Sequence, residues 1–223
     1  MAARAAKRQG VEAPRIDEVD PQELRATDVA GLGDRETHDG ELFDGGDITG
    51  ADLEGSTFTE CHFDGVTMGG TRLRGSRFVD TVFTDPFAPE LSFARTTWKR
   101  VRVDRPRWGS AELFDAEFAG VVIQGGKIDY LNFRQSELTD VVIEGCSIGE
   151  LDLGGVTATR VALRDCRIGT LDLTRATMAS FDLRGATFDT LNGIDGLRGV
   201  VVDDYQVTLL APLLAAQSGL VVV

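Results

Sequence analysis

The chain of 223 residues is long enough to bury the core of one ordinary domain, and its formal net charge of −13 makes it strongly acidic. No apolar run approaches the ~18 residues of a membrane span, and no hydrophobic stretch follows the basic first ten residues, so the sequence predicts neither a transmembrane helix nor a secretory signal. The three cysteines, an odd number, argue against a disulfide framework and favour a cytoplasmic protein.

The first 40 residues carry no regular hydrophobic period. Residues 1–20 are polar and charged, which predicts a mobile tail. Residues 21–28 begin with a proline, which suits the first turn of a helix, and we interpret them as a short helix. Residues 1–40 are therefore expected to form a polar N-terminal tail that is partly disordered or contains this helix.

A period of five residues dominates the chain after residue 40. All 29 positions taken every fifth residue from Ile48 to Phe188 are apolar. Neither the 3.6-residue period of a helix nor the two-residue period of a strand produces this pattern. The position two residues earlier is mostly small or apolar as well, and residues two apart share one face of an extended segment. Each unit of five is therefore expected to point two side chains inward and three outward.

Four such units complete a coil of twenty residues. Valine recurs at this spacing at Val101, Val121, Val141 and Val161, and turn-forming Gly, Asp, Asn and Thr stand between the inward positions. A fixed internal period takes precedence over local helix or strand propensity. The sequence thus predicts an all-β, four-sided solenoid in which equivalent positions of successive coils stack. About seven coils at ~4.8 Å each give a rod ~35 Å long.

Several units share a sequence pattern as well as a period. AlaAspLeuGluGly (51–55), CysHisPheAspGly (61–65) and PheAspLeuArgGly (181–185) resemble the repeats of the pentapeptide-repeat family. The resemblance covers residues 41–193. It implies a right-handed parallel β-helix, a quadrilateral solenoid built from pentapeptide repeats.

Two segments depart from the period. ThrAspProPheAlaProGlu (84–90) contains two prolines, which remove ladder donors, so a bulged corner or a protruding loop is expected there. After residue 188 the period decays. Residues 194–223 are expected to hold a last strand at 200–202 and a helix over 205–217, capped by the aspartates at 203 and 204.

The C-terminal helix is predicted to be apolar over a broad face, which carries Leu209, Leu210, Leu213 and Leu214. Repeat folds need a cap at an open coil end, and this helix is expected to supply it. The alternative is a homodimer contact, because some members of the resembled family pair end to end through their C-termini. Residues 220–223 are an edge-strand candidate for either role.

The sequence contains no pattern typical of catalysis. His38 and His62 have no His, Cys or Glu at metal-ligand spacing, and no Walker sequence occurs. Carboxylates are numerous, but a filled β-helix has no cavity that would desolvate a pair and shift its pKa. We therefore expect a protein that is no enzyme and has no catalytic, cofactor-binding or metal-binding residues. Its function is expected to lie on its outer surface.

The main hypothesis is a protein-interaction module whose partner the sequence does not identify. One outward row contains Val82, Val122 and Val142, which are either ordinary strand-forming residues or a binding stripe. Phe87 and Phe114 are also predicted to point outward. These five residues are candidates for a partner surface.

The alternative comes from the resemblance. Some pentapeptide-repeat proteins imitate duplex DNA, bind DNA gyrase and protect it from quinolone-type inhibitors, because carboxylates on a rod of similar width replace phosphates. One outward ladder of this chain contains Asp44, Asp64, Asp104 and Glu144, although uncharged residues interrupt it.

A basic belt has the wrong sign for such a mimic. It contains Arg95, Lys99, Arg100, Arg102, Arg105 and Arg107. The belt is short and the net charge is negative, so direct nucleic-acid binding is not expected.

Overall fold

The computed structural model describes residues 11–220, which form a parallel β-solenoid of about nine turns followed by one α-helix. The first ten residues of the expected tail and residues 221–223 of the expected edge strand lie outside the described residues. The all-β β-helix with a C-terminal helix, predicted from the five-residue period, is confirmed.

The solenoid contains eighteen short strands: β1 (Arg25–Ala26), β2 (Thr37–Asp39), β3 (Glu41–Asp44), β4 (Thr57–Thr59), β5 (His62–Asp64), β6 (Arg77–Thr84), β7 (Phe87–Ser92), β8 (Thr97–Asp104), β9 (Arg107–Glu112), β10 (Glu117–Gln124), β11 (Lys127–Asn132), β12 (Glu137–Glu144), β13 (Ser147–Asp152), β14 (Thr157–Arg164), β15 (Arg167–Asp172), β16 (Thr177–Asp182), β17 (Thr187–Asn192) and β18 (Val200–Val201). Strands β7, β9, β11, β13, β15 and β17 form a six-stranded sheet, and the others form a twelve-stranded sheet. Short 3-10 helices lie at Val29–Gly31 and Ile194–Leu197, and the α-helix, α1, spans Asp204–Gln217.

The register of the sheets reproduces the twenty-residue coil. Val121 pairs in parallel with Val101 on one side and with Val141 on the other. The offset departs from twenty only at the two ends, where β1 pairs with β3 and β16 pairs with β18. Those end strands extend the coil beyond residues 41–193, so the solenoid has about nine turns rather than the seven that the sequence predicted.

The predicted inward positions form the core. Of the 29 apolar positions from Ile48 to Phe188, 28 are buried, and Phe188 in the last coil is half-buried. Rings stack from coil to coil, with centroids 4.7 Å apart between Phe43 and Phe63 and 4.8 Å apart between Phe63 and Phe83. This spacing equals the strand separation, so the side chains pack without gaps along the axis.

Small polar side chains at inward positions satisfy backbone carbonyls inside the rod. The Ser76 hydroxyl donates to the Leu53 carbonyl at 2.8 Å, and the Ser136 hydroxyl donates to the Leu113 carbonyl at 2.9 Å. The same contact, to the carbonyl 23 residues earlier, is made by Thr71, Thr81, Cys146 and Cys166. Buried polar groups need such partners, so Ser, Thr and Cys at these positions stabilise the coil.

The helix predicted over residues 21–28 is wrong. Arg25 and Ala26 form strand β1, because the amide of Arg25 donates to the carbonyl of Gly40 and the first coil extends by another strand. Residues 11–20 of the expected tail have no regular secondary structure and contact the rod, where Glu12 and Arg15 donate backbone hydrogen bonds to it. Val19 in this segment is only 6% exposed.

A buried polar network closes the N-terminal end of the rod. His38 stacks on Phe58 with centroids 4.9 Å apart, and its Nδ1 lies 2.9 Å from the Glu41 carboxylate. Arg25 of β1 forms an ion pair with the same carboxylate. His38 therefore takes an inward position in the first coil, where it covers the aromatic core with a polar ring.

The loop expected at residues 84–90 is wrong as well. Residues from Phe87 onward form β7, which pairs in register with β9. Pro86 precedes the strand, and its carbonyl accepts the amide of Arg107. Pro89 lies at an unpaired position where the ladder requires no N–H, and a Cβ at Gly109 would stand 2.2 Å from its carbonyl oxygen. A glycine above the proline therefore lets the coil continue without a bulge.

Helix α1 closes the C-terminal end of the rod. Asp203 and Gln206 form a capping box, as the predicted aspartate cap requires. The Gln206 side chain is 1% exposed, and its Nε2 donates to the carbonyls of Leu183 at 2.6 Å and Ala186 at 2.7 Å. Leu183 is again 23 residues earlier, so Gln206 occupies the place that an inward hydroxyl would take in a further coil.

Candidate interaction surface

The predicted acidic ladder is a continuous outward column on the larger sheet. Register places Asp44 beside Asp64, and the same column reaches Asp104 and Glu144. Asp104 is only 6% exposed, because it accepts hydrogen bonds from Arg102 Nε at 2.9 Å and from Gln124 Nε2 at 2.8 Å. The column therefore carries less free charge than its sequence suggests.

The two ends of this ladder differ in charge. Glu144 lies 3.9 Å from Arg164, whereas Asp44 and Asp64 have no Lys, Arg or His nitrogen within 4 Å among residues 11–220. Asp44 is exposed and Asp64 is half-buried. Unneutralised carboxylates in this ladder are thus concentrated at its N-terminal end.

Two aspartates of a second outward column form ion pairs; the column contains Asp52, Arg72, Ser92, Glu112, Asn132, Asp152 and Asp172. Arg72 donates to Asp52 at 2.7 Å, and Arg134 donates to the buried Asp152 at 2.9 Å. Tyr130 stands beside the latter pair with its hydroxyl 3.5 Å from Asp152. Burial, followed by the nearby carboxylates, raises the pKa of Tyr130 to about 12, so the phenol stays protonated at neutral pH.

Most of the basic belt is also paired. Arg95 pairs with Asp115, Arg100 with Asp80, Arg102 with Asp104 and Arg105 with Asp85. The hydrogen bond from Arg105 lowers the pKa of Asp85 below its ordinary value. Guanidinium groups held in this way are less free to contact phosphates.

The outward valine row is present, and its members are buried or half-buried. Val82 and Val142 are 2% and 4% exposed, and Val122 is half-buried. Their positions point away from the core, because the residues on either side of each valine are the buried inward residues. Something other than the core therefore covers Val82 and Val142.

Phe87 is the most exposed aromatic side chain of the β-solenoid, at 43%. It lines a surface groove of about 460 Å³ on the six-stranded sheet, together with Pro89, Arg107, Trp108 and Lys127. Register places Phe87, Arg107 and Lys127 in one outward column. Phe114, the other outward phenylalanine, is half-buried and lies outside this groove.

The described residues offer few groups suited to catalysis. Residues 11–220 contain no group of three His, Cys, Asp or Glu side chains that would hold a metal ion. Cys61, Cys146 and Cys166 are buried free thiols. Burial raises the pKa of Cys61 to about 11, which disfavours the reactive thiolate.

The four helix leucines divide into two roles. Leu210 is 3% exposed and packs toward the rod, whereas Leu209, Leu213 and Leu214 are each 43% exposed. Over residues 11–220, no helix is long and apolar enough to cross a membrane. The helix therefore presents its remaining apolar surface away from the coil that it caps.

One family model and several solved structures are similar to this chain. Residues 43–85 match the family model "Pentapeptide repeats" in eight copies, and no curated protein sequence matches the chain. The structure of trypsin-treated QnrB1, described as a plasmid-mediated fluoroquinolone resistance protein, is 22% identical with a TM-score of 0.49, over 86% of this chain and 100% of that one. HetL of Nostoc sp. strain PCC 7120, a pentapeptide repeat protein involved in heterocyst differentiation regulation, is 14% identical with a TM-score of 0.28, over 79% and 94%. Residues 43–85 therefore consist of pentapeptide repeats, and the same twenty-residue register continues through the later strands of the solenoid.

Proposed function

We propose that the protein is a non-catalytic interaction rod that binds a protein partner through its outer surface. The observation that carries this proposal is the exposed Phe87 beside two cations, Arg107 and Lys127, in a surface groove of the six-stranded sheet. The interior cannot hold a ligand, because stacked apolar side chains fill it. A large exposed aromatic residue next to an arginine is a combination typical of binding hot spots.

Charges around this groove favour an acidic partner segment. No carboxylate of residues 11–220 forms an ion pair with Arg107, and Lys127 lies only within 3.9 Å of Asp129. An apolar side chain of the partner would pack on Phe87 while a carboxylate approaches the two cations. The proposed partner is therefore a protein segment that presents an apolar and an acidic residue side by side.

Site-specific photocrosslinking in the native cell tests this proposal. A benzoylphenylalanine replaces Phe87 in one variant and, as a matched control, Thr187 in another, since Thr187 occupies the same outward column at the far end of the sheet. One discrete crosslinked protein is expected from position 87 and none from position 187. It should disappear when Arg107→Glu and Lys127→Glu are added. Crosslinks of equal pattern at both positions, or none at 87, would refute the Phe87 surface.

The second candidate function is a DNA mimic that binds DNA gyrase and protects it from quinolone-type inhibitors. It is favoured by the stacked carboxylates of Asp44 and Asp64, which lack cationic partners among the described residues. Titration of purified gyrase in a supercoiling assay tests it, with Asp44→Asn combined with Asp64→Asn as the variant and the exposed Asp189→Asn as the control. Inhibition or inhibitor rescue that only the double variant loses would support mimicry. No effect of the wild type at micromolar concentration would exclude it.

We further propose a cytoplasmic homodimer joined through α1. Leu209, Leu213 and Leu214 leave an apolar patch on the helix, and such patches mark association surfaces. The buried free thiols are compatible with a reducing compartment. Sedimentation analysis should give a dimer for the wild type and a monomer for Leu213→Glu with Leu214→Glu. A wild-type protein that stays monomeric at a concentration on the order of 100 micromolar would refute the dimer, because a weaker dissociation constant would not sustain a useful dimer.

A further inference from the structure

Residues 11–24, here called the N-terminal strap, run lengthwise along one corner of the rod. The amide of Glu12 donates to the Ser180 hydroxyl at 3.3 Å, and the amide of Arg15 donates to Asp140 Oδ1 at 2.9 Å. Residues 18–22 then lie beside Glu60 and Asp80. The contacted positions, 180, 140, 80 and 60, are equivalent corners of different coils. The strap therefore runs from the C-terminal coils towards the N-terminal coils, opposite to the direction in which the solenoid is built.

The spacing of these contacts shows that the strap is extended. Three residues separate Glu12 from Arg15, and an extended chain covers ~10 Å in three residues. Their partners Ser180 and Asp140 are two coils apart, which is also ~10 Å at the strand separation of ~4.8 Å. The strap therefore advances in step with the coils.

Electrostatics supports the same path. Asp80 raises the pKa of Arg100 by a hydrogen bond, and the carboxylate of Asp17 in the strap raises it further. Asp140 does the same for Arg160, and Glu12 of the strap adds to it. The acidic strap thus places its carboxylates beside the two arginines of the corner.

Burial on the two sides of this corner identifies what the strap covers. Two residues past the corner, the outward Val82 and Ala162 are 2% and 1% exposed. One residue before the corner, the outward Val79 is half-buried and Ala119 is exposed. Matched side chains differ in exposure according to their side of the corner. Val19 of the strap is buried as well, and it lies beside Glu60 and Asp80, two residues before Val82.

We propose that this corner strip is a docking groove for an extended acidic peptide, and that the strap occupies it in cis. The strap defines the chemistry of the partner. The partner segment would be extended, would donate a backbone N–H to Asp140, would place a β-branched side chain over Val82, and would bring carboxylates to Arg100 and Arg160. This groove lies on the twelve-stranded sheet and does not depend on the Phe87 surface.

The strap is held weakly enough for exchange. Among its described residues only Val19 is buried, and most of the others are exposed. Two hydrogen bonds from its backbone to side chains of the rod are present over fourteen residues. Segments with few buried contacts open at low free-energy cost while the rest of the protein stays folded. A partner segment with a better apolar residue would therefore displace the strap.

A trans-binding experiment with the full-length protein tests this proposal. The probe is a fluorescently labelled peptide with the sequence of residues 11–24, and binding is followed by anisotropy. In the loosened variant, Arg15→Pro removes the N–H that binds Asp140 and Val19→Asp removes the buried side chain. We expect the labelled peptide to bind this variant at least tenfold more tightly than it binds the wild type, whose own strap competes. A control peptide carrying the same two substitutions should not bind either protein.

Hydrogen exchange of the unlabelled wild type supplies the second measurement. The amide of Arg15 should exchange at least a hundredfold faster than that of Val141 in the core, and added peptide should leave the exchange of Val141 unchanged. Equal affinity of the labelled peptide for wild type and variant, or binding to neither, would overturn the groove. Exchange at Arg15 as slow as at Val141 would overturn the displaceable strap.

Discussion

The closure of the C-terminal end by Gln206 makes a quantitative prediction. Replacement of Gln206 by leucine roughly keeps the side-chain volume and removes every hydrogen bond of the Gln206 side-chain amide. The carbonyls of Leu183 and Ala186 then lose their donor, and the amide of Asp203 loses the Oε1 that accepts it at 2.9 Å. Each lost bond costs about 1 kcal/mol, because the groups are buried and water does not replace the partner. Gln206→Leu should therefore lower the free energy of unfolding by about 3 kcal/mol.

Gln217→Leu is the matched control. It is the same substitution in the same helix, but Gln217 is exposed and makes one hydrogen bond, to Asp195 at 2.7 Å. We expect its cost to stay below about 1 kcal/mol, since water replaces an exposed partner. Urea unfolding followed by circular dichroism measures both variants, and an unchanged m-value shows that the same surface unfolds.

The comparison between the two variants decides whether α1 is a cap. If Gln206→Leu and Gln217→Leu agree within about 0.5 kcal/mol, Gln206 does not close the coil and the helix is merely attached to it. If Gln206→Leu lowers the m-value, the last coils unfold separately from the rest, as neighbouring repeats of a solenoid are able to do. In that case Gln206 would still close the coil, but its contribution would be confined to the stability of the last coils.

Two further substitutions test the core and the corner. Urea unfolding should show that Trp98→Phe destabilises the rod by about 1–3 kcal/mol more than Trp108→Phe does. Trp98 Nε1 donates to the Thr96 hydroxyl at 2.8 Å, whereas Trp108 Nε1 has no partner within residues 11–220. Equal losses of stability would show that the indole N–H groups do not contribute. Asp140→Asn should be less stable than wild type at pH 7, and the difference should disappear as the pH falls below 3.8. The hydrogen bond from Arg160 holds the folded-state pKa of Asp140 below that value. Protonation of Asp140 therefore removes the stability that this pair contributes. A difference that persists at pH 2 would contradict this linkage.

The core was predictable because the repeat acts through sterics that recur at every coil. An apolar residue at every fifth position fits neither a helix nor a flat strand, but it fits a coil of five-residue units with one common axis. The burial of residues such as Leu53 and Ile148 therefore followed from the sequence alone. The prolines at 86 and 89 misled the prediction for a local reason. A proline is costly only where the ladder needs its N–H, and the coil leaves position 89 unpaired.

The strap could not be placed from the sequence, because it has no period. Its contacts with Asp140 and Ser180 come from backbone amides, which every residue except proline carries, so no side-chain pattern announces them. The sequence predicted that Val82 and Val142 point outward, but it did not predict that they would be buried. Direction follows from the alternation along a strand, whereas exposure depends on what lies over the strand, which the alternation does not specify.

Charge pairing, in contrast, left a signal in the sequence. Stacked coils bring residues twenty apart into contact, and acid–base pairs at that separation, such as Asp80 with Arg100 and Asp85 with Arg105, form ion pairs in the structure. Counting charges along a face without this offset overstates the free charge of the rod. Once contacts between residues of stacked coils are taken into account, most charges of the basic belt and part of the acidic ladder prove to be paired within the protein. Arg107, next to the exposed Phe87, is among the charges left uncompensated, and a partner that binds there need not break an internal ion pair first.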